Sequence, residues 1–407
     1  MSTVIHSARQ VGPAEISPGS WLLLQDGRIA DAGTGPWPGT ASAAAGTGPW
    51  PRTSSGAEPV REIDAAGAYL VPGFVDIHCH GGGGVSFEDD GDIRLAPETH
   101  LAHGTTSQLA SLVANPLETM EATLRRLASS AAGSATVKGF HLEGPFLAAS
   151  RCGAHNPAFL VPPTAAAIDR LVEAGGGLVR QVTLAPELDH GFTAIKRLVD
   201  YGVTVAIGHT DCDYDTARAA FDAGASVLTH TFNAMSGLHH RSPGPVAAAF
   251  DSPHVTLELI ADGIHVQDPL VRLAFQATPG RVALITDAMA AAGAGDGRYR
   301  LGSLPVNVRD GVARVTESGA IAGSTLTMDA AVRRAVAAGI SLPDAISAAT
   351  SVPAQAVGLL DETRPAGSNP GSLAVGSPAD LVLLDEDLRP LRIWLAGEEY
   401  PRAGLPN

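Results

Sequence analysis

Six ionisable residues of this sequence stand at positions where chemistry is plausible. His78 and His80 close the run AYLVPGFVDIHCH, and Glu143 closes VKGFHLE. His209 closes GVTVAIGH, His230 closes ASVLTH and Asp287 closes RVALITD. Each stands where an apolar, β-branched run stops, a place that a random scatter of His, Glu and Asp would not choose repeatedly. Imidazole and carboxylate are ligands for zinc and other borderline divalent ions, and a catalytic ion keeps one position open for water. His78 and His80 are two apart, so on a strand both point to one face while Cys79 points to the other. Cys79 therefore reads as a small buried filler. Gly81 to Gly84 follow at once and let the backbone turn sharply and approach a substrate closely.

Positioning these residues requires strands that end together. From Val71 to about Thr350 the chain alternates apolar strand-like runs with helix-like stretches such as ETMEATLRRLASSAA, FTAIKRLVDYG and MDAAVRRAVAAG. Strands each bounded by a helix imply a parallel sheet covered on both faces. The segment 71–350 suits an α/β fold of the (β/α)8 TIM-like barrel type, whose active sites assemble at the C-terminal ends of the strands. A doubly wound open sheet is the alternative, but no GxGxxG follows an early strand. Segments 1–70 and 351–407 both read as short strands, and we expect them to meet as one small β-sandwich domain. Within the first, GTGPWP occurs at Gly33–Pro38 and again at Gly46–Pro51. The Pro/Gly/Ala/Ser-rich stretch 33–56 is expected to be a mobile insertion.

The net charge of -15 argues against nucleic acid or an anionic membrane surface as a partner. The three cysteines, Cys79, Cys152 and Cys212, form no CxxC pair, which fits a reducing cytoplasm. The opening MSTVIHSARQ has no basic start followed by an apolar run, so no signal peptide is expected. No apolar stretch approaches the ~20 residues of a membrane helix.

The stretches PGFVDIHCHG, HLEGPF, GHT, THTFNAM, IADGIHV, ITDA, AGSTLTM and GSPADLVLLD resemble the amidohydrolase superfamily. Within it, HLEGPF followed by GAHNP, together with THTFNAM, resembles the N-acetylglucosamine-6-phosphate deacetylase family. Elsewhere in the superfamily a carbamylated lysine often bridges two metals. Here Lys138 and Lys196 end no strand, and Glu143 takes that place.

The resemblance implies one or two divalent ions per subunit, zinc first, with iron, manganese, cobalt or cadmium as alternatives. Glu143, His209 and His230 would hold the main ion, and His78 and His80 would make a second available. Amide hydrolysis at neutral pH needs a nucleophilic hydroxide, which a bound metal supplies by lowering the pKa of a water towards ~7. Asp287 is implied as the catalytic group that takes the water's proton and delivers it to the amine leaving group. His155 would polarise the acetyl carbonyl. Substrate contacts are implied for Ala154, Asn233, Ala234, Asp262, His265, Ile321, Ala322 and Gly323, with Arg241 on the phosphate as a planar bidentate donor. In that family the histidine matching His265 reaches the phosphate of the neighbouring subunit's substrate, which implies a homodimer. The expected reaction converts N-acetylglucosamine 6-phosphate to glucosamine 6-phosphate and acetate, in amino-sugar catabolism and cell-wall recycling. Competing readings are a related N-acetyl sugar such as N-acetylgalactosamine 6-phosphate, a cyclic amidase or deaminase, and a non-catalytic sugar-phosphate sensor. An intact Asp287 weighs against the last, since a sensor needs no proton shuttle.

Overall fold

The computed structural model describes residues 2–38, 60–90, 93–131, 134–359 and 369–401. Eight parallel strands follow one another in chain order: β1 (Phe74–Cys79), β2 (Thr105–Val113), β3 (Val137–Glu143), β4 (Val179–Leu184), β5 (Thr204–Ile207), β6 (Val227–Leu228), β7 (Thr256–Ile260) and β8 (Val282–Ile285). Each pairs in parallel with the next. The ring closes beyond β8, where Asp287 N–H donates to the His78 carbonyl at 2.8 Å and Cys79 bridges Ala288 in parallel.

Among the described residues, one helix follows each strand of the ring: α1 (Leu95–Ala102), α2 (Leu117–Ala131), α3 (Ala165–Ala174), α4 (Gly191–Asp200), α5 (Tyr214–Asp222), α6 (Gly244–Phe250), α7 (Asp268–Ala277) and α8 (Met328–Ala337). Their apolar residues recur at helical spacing. In α4, Ala194, Ile195 and Leu198 are buried, and in α3 Ala167, Ile168 and Leu171 are. Buried on both faces, β2 shows no alternation at all. The Asp-rich DCDYD supplies a helix cap, because Asp213 accepts the Thr216 N–H at 2.8 Å at the start of α5.

Both chain ends share one mixed sheet. Leu381–Leu384 pairs antiparallel with Tyr69–Pro72, which lies in parallel beside the end of Thr3–Val11. The start of Thr3–Val11 pairs instead with Arg61–Asp64, so the sheet forks at that strand. Ile5, Leu22, Leu70, Leu381 and Trp394 form its core.

Two boundaries differ from expectation. Gly33 and Thr34 belong to the strand Arg28–Thr34, and the Trp37 ring packs edge-on against Trp21 with centroids 4.8 Å apart. The first GTGPWP copy is thus anchored by aromatic packing, and the insertion does not begin at 33; the second copy lies outside the described residues. At the other end, α9 (Leu342–Ala348) and α10 (Ser351–Ala356) continue the barrel wall, with Ala354 and Val357 in its core. The return to the terminal sheet therefore begins beyond Val357, later than the expected 351. One addition was not foreseen. An antiparallel sheet of Gly297–Leu301, Leu304–Arg309 and Val312–Val315 sits between β8 and α8. No helix among the described residues is long and apolar enough to cross a membrane.

Gly73 joins the terminal sheet to β1, and a Cβ there would stand 2.1 Å from Thr106 Oγ1 and 2.5 Å from its Cγ2. Thr106 is buried and has nowhere to move. Gly73→Ala should lower stability by about 1–3 kcal/mol through overpacking. Thermal or urea unfolding reads this, and an unchanged midpoint would contradict the tight junction.

Candidate active site

The six strand-end residues converge. Glu143, the last residue of β3, places Oε1 3.0 Å from both His209 Nε2 and His230 Nε2, which are themselves 3.0 Å apart. Oε2 of the same carboxylate lies 3.1 Å from His80 Nε2. His78 Nε2 and His80 Nε2 are 3.2 Å apart, and Asp287 Oδ1 is 3.5 and 3.3 Å from them. All six are buried. Cys79 points away as strand alternation requires, its Sγ 3.3 Å from His100 Nε2, and burial pushes its thiol far up.

Hydrogen bonding decides what these atoms present to one another. His209 Nδ1 can only donate to the Arg151 carbonyl at 2.8 Å, and His78 Nδ1 donates to Glu258 Oε2 at 3.1 Å. In their neutral form, the one that ligates a metal, their Nε2 atoms therefore bear lone pairs and face other acceptors inside a buried pocket. A cation among these lone pairs stabilises the array. Without one, burial opposes a proton on His78, yet the surrounding carboxylates Glu143, Asp287 and Glu258 favour it and raise its pKa well above the ordinary value. A tetrahedral ion with ligands at about 2.0–2.1 Å spaces them roughly 3.3 Å apart, close to the separations seen here. Charge points the same way. Burial opposes a proton on His80, yet Asp287 and Glu143 raise it to about 10. Burial would likewise raise Glu143, but His78 and His155 hold it well below the usual carboxylate range. The residues fit a divalent metal, with Glu143 able to serve two positions.

His155 differs from the ligands, although its Nε2 lies 3.3 Å from Glu143 Oε2. Its Nδ1 accepts the Ala114 N–H at 3.1 Å, so the proton sits on Nε2. Burial lowers its pKa to about 4, leaving a neutral donor aimed at the cluster. Asp287 is drawn upwards by burial, but His78 and His80 prevail and keep it ionised at neutral pH.

A cavity of about 400 Å³ opens over the cluster, lined by His80, Glu143, Ala154, His155, His209, His230, Asn233, Ala234, His265, Asp287, Ile321 and Gly323 among the expected residues. His265 lines the cavity of its own subunit. Asp262, itself outside the lining, accepts the His265 Nδ1–H at 2.6 Å and holds the ring; burial opposes a proton there, but Asp262 raises its pKa.

The Amidohydrolase family profile matches residues 69–400. N-acetylglucosamine-6-phosphate deacetylase of Bos taurus is 39% identical over 350 residues, covering 82% of this chain and 84% of that protein. N-acetylgalactosamine-6-phosphate deacetylase of Escherichia coli O157:H7 is 40% identical over 346 residues, covering 84% and 90%. A solved structure of an N-acetyl-D-glucosamine-6-phosphate deacetylase mutant from Mycobacterium smegmatis, in complex with N-acetyl-D-glucosamine-6-phosphate, superposes with TM-score 0.87 at 40% identity over 98% of this chain and 99% of that one. The chain belongs to the amidohydrolase family, among its N-acetylglucosamine-6-phosphate deacetylases.

Three expected contacts, Asp262, Arg241 and Ala322, are not among the residues that line this cavity. Arg241 is exposed and lies outside the lining, on a loop where its own N–H donates to His239 Nδ1 at 3.3 Å. Ala322 is buried in the core of the three-stranded insertion, because alternation turns it away from Ile321. Other residues went unrecognised in the sequence. The insertion contributes Leu301 and the approach to Ile321 contributes Ala320, while Ser150, Arg151 and Gly153 come from the loop after β3. Deeper, Glu258 is fully buried in β7. It accepts the His78 Nδ1–H, the His230 backbone N–H at 3.2 Å and Gln181 Nε2–H at 2.6 Å. A charge inside the apolar run TLELI was the available signal. His141, its ring 4.4 Å from His78, is held between Ser111 and Thr183, and burial keeps it neutral.

Glu258 orients one ligand through its side chain and another through its backbone, a task whose loss typically costs about 10- to 100-fold in metal affinity. Glu258→Gln should lower affinity by that order, most at the His78/His80 position. Competition with a chromogenic chelator measures it, and wild-type affinity at both positions would contradict this role.

Proposed function

We propose that the chain hydrolyses the amide of N-acetylglucosamine 6-phosphate, releasing acetate and glucosamine 6-phosphate, in amino-sugar catabolism and cell-wall recycling in the cytoplasm. One observation carries the reading. An ionised carboxylate, a neutral imidazole N–H and a triangle of metal-type donors meet at one cavity, the set an amide hydrolase requires. The substrates named for the relatives supply the rest. Free Cys79, Cys152 and Cys212 suit the compartment.

Glu143, His209 and His230 would hold a divalent ion, zinc first, and His78, His80 and Asp287 surround a second position. Such an ion, when bound, acidifies a water and supplies Lewis acidity. Asp287 receives the proton of the attacking water and returns it to the sugar nitrogen, because an unprotonated amine leaves poorly. His155 donates its Nε2–H to the carbonyl oxygen as charge develops there. Ala154, Asn233, Ala234, Ile321 and Gly323 bound the sugar, and His265, held by Asp262, supplies a polar contact from the same subunit. A homodimer is part of the proposal, although the cavity draws His265 from its own chain.

The galacto epimer is a second reading, favoured by the likeness to the Escherichia coli enzyme. Acetate release from both epimers tests the two together, and the gluco sugar should give the higher kcat/KM. No release from either would end the deacetylase reading. Asp287→Asn should cut kcat by about 10²- to 10⁴-fold while the ion on Glu143, His209 and His230 is retained. Elemental analysis and turnover on the same sample check this; near-normal activity would remove the assignment.

A further inference from the structure

Beside the catalytic cavity lies a smaller one of about 270 Å³, with Glu88, Asn115 and Gly302 in its wall. We propose that Glu88 is a positioning residue for the deacetylation, acting through Asn115 on the donor His155. This rests on the deacetylase reading and deepens it.

Glu88 stands outside the lining of the catalytic cavity, so it acts on the substrate only through other residues. Its Oε1 accepts the Asn115 Nδ2–H at 2.7 Å, and its Oε2 is buried with no hydrogen bond among the described residues. Burial pushes the carboxyl up to about 7, although His80 and Asn115 favour its charge. Burying a carboxylate that serves one amide is unfavourable in itself. What it secures lies one residue back from Asn115. β2 pairs with β3 as far as Val113, opposite Glu143, where the ladder ends. Ala114 follows, and its N–H donates to His155 Nδ1 at 3.1 Å, the contact that leaves the ring proton on Nε2. Beyond the ladder, the Asn115–Glu88 bond ties this stretch to the loop after β1.

That loop is itself held. Glu88 N–H donates to Ser86 Oγ at 3.2 Å, Ser86 N–H donates to Asp89 Oδ2 at 2.7 Å, and Arg126 of α2 donates to the Phe87 carbonyl at 3.0 Å. The three-stranded insertion closes over the pair with Gly302, at φ +53°. A Cβ there would stand 2.5 Å from Val113 Cγ2, 3.5 Å from Asn115 Nδ2 and 3.8 Å from Glu88 Oε2. From the same turn Ser303 Oγ accepts the Asn156 Nδ2–H at 3.4 Å, next to His155, and Leu301 lines the catalytic cavity. The insertion, the end of β2 and the His155 loop therefore meet around Glu88. A second route leads to the metal-type ligands, because Phe87 N–H donates to the His80 carbonyl at 3.1 Å. The test must separate the two.

A double-mutant cycle on acetate release from N-acetylglucosamine 6-phosphate does so. Glu88→Ala should lower kcat by about 10- to 100-fold with KM little changed, the effect of misplacing a catalytic group slightly. In a His155→Ala background the same substitution should cause no further loss, because the group it positions is gone. Asn115→Ala should repeat this pattern, and it carries the test if Glu88→Ala does not fold. Glu88→Gln keeps a carbonyl oxygen for the Asn115 N–H and should recover most of the rate. Unchanged kcat in Glu88→Ala and Asn115→Ala overturns the proposal, as does full additivity with His155→Ala. A Glu88→Gln variant as slow as Glu88→Ala overturns it too. Loss of metal from Glu88→Ala, read by elemental analysis, would place its action at His80 and equally overturn it. No acetate from any N-acetyl sugar phosphate with wild type instead sinks the deacetylase reading, and this proposal with it.

Discussion

Lone pairs that face one another in a buried pocket are the constraint on which this site depends. Glu143 Oε1, His209 Nε2 and His230 Nε2 are mutually 3.0 Å apart, and the tautomer of His209 is set from outside the triangle. With all three groups unprotonated and no cation between them the arrangement repels itself, so the surrounding protein must hold it. It does so through contacts that reach the ligands from behind: the Arg151 carbonyl on His209, and Glu258 on both His78 and His230.

The backbone bears part of the same load. His209, His230 and Asp287 have φ of +47°, +25° and +48°, in or near the left-handed region that non-glycine residues avoid. Strain of this kind costs about 1–3 kcal/mol per residue and persists only where neighbours over-determine it. Each residue is pinned accordingly. His230 N–H meets Glu258, Asp287 N–H meets the His78 carbonyl, and His209 follows Gly208, where a Cβ would come within 2.6 Å of Thr229. The sharp turn at each strand end throws the side chain inwards, over the ring of strands.

What was legible in the sequence follows from this. The barrel could be read because strand and helix periods differ, and the ligands because they stand where apolar runs stop. Glu258 was missed because it lies inside a strand, where only the oddity of a carboxylate between leucines marks it. His155 could be placed near the site, but its role as donor depends on the Ala114 N–H, a contact between residues far apart in the chain. Loop cations were the least legible. Arg151 and Arg241 sit in similarly polar surroundings in sequence, and only the path of the loops brings one into the cavity. The three-stranded insertion carries a plain turn signal in VRDGVAR, yet it lies inside the segment 71–350, which the strand–helix alternation assigns as a whole to the barrel.

The central claim is that this donor array is a metal site and not a hydrogen-bonded histidine cluster. Anomalous diffraction from crystals of the zinc-loaded protein, collected on both sides of the zinc edge, tests it most directly. The account predicts a peak within coordination distance of Glu143 Oε1, His209 Nε2 and His230 Nε2, at about 2.0–2.2 Å. Absence of anomalous signal there, with the three atoms instead bonded through protons or water, would contradict it.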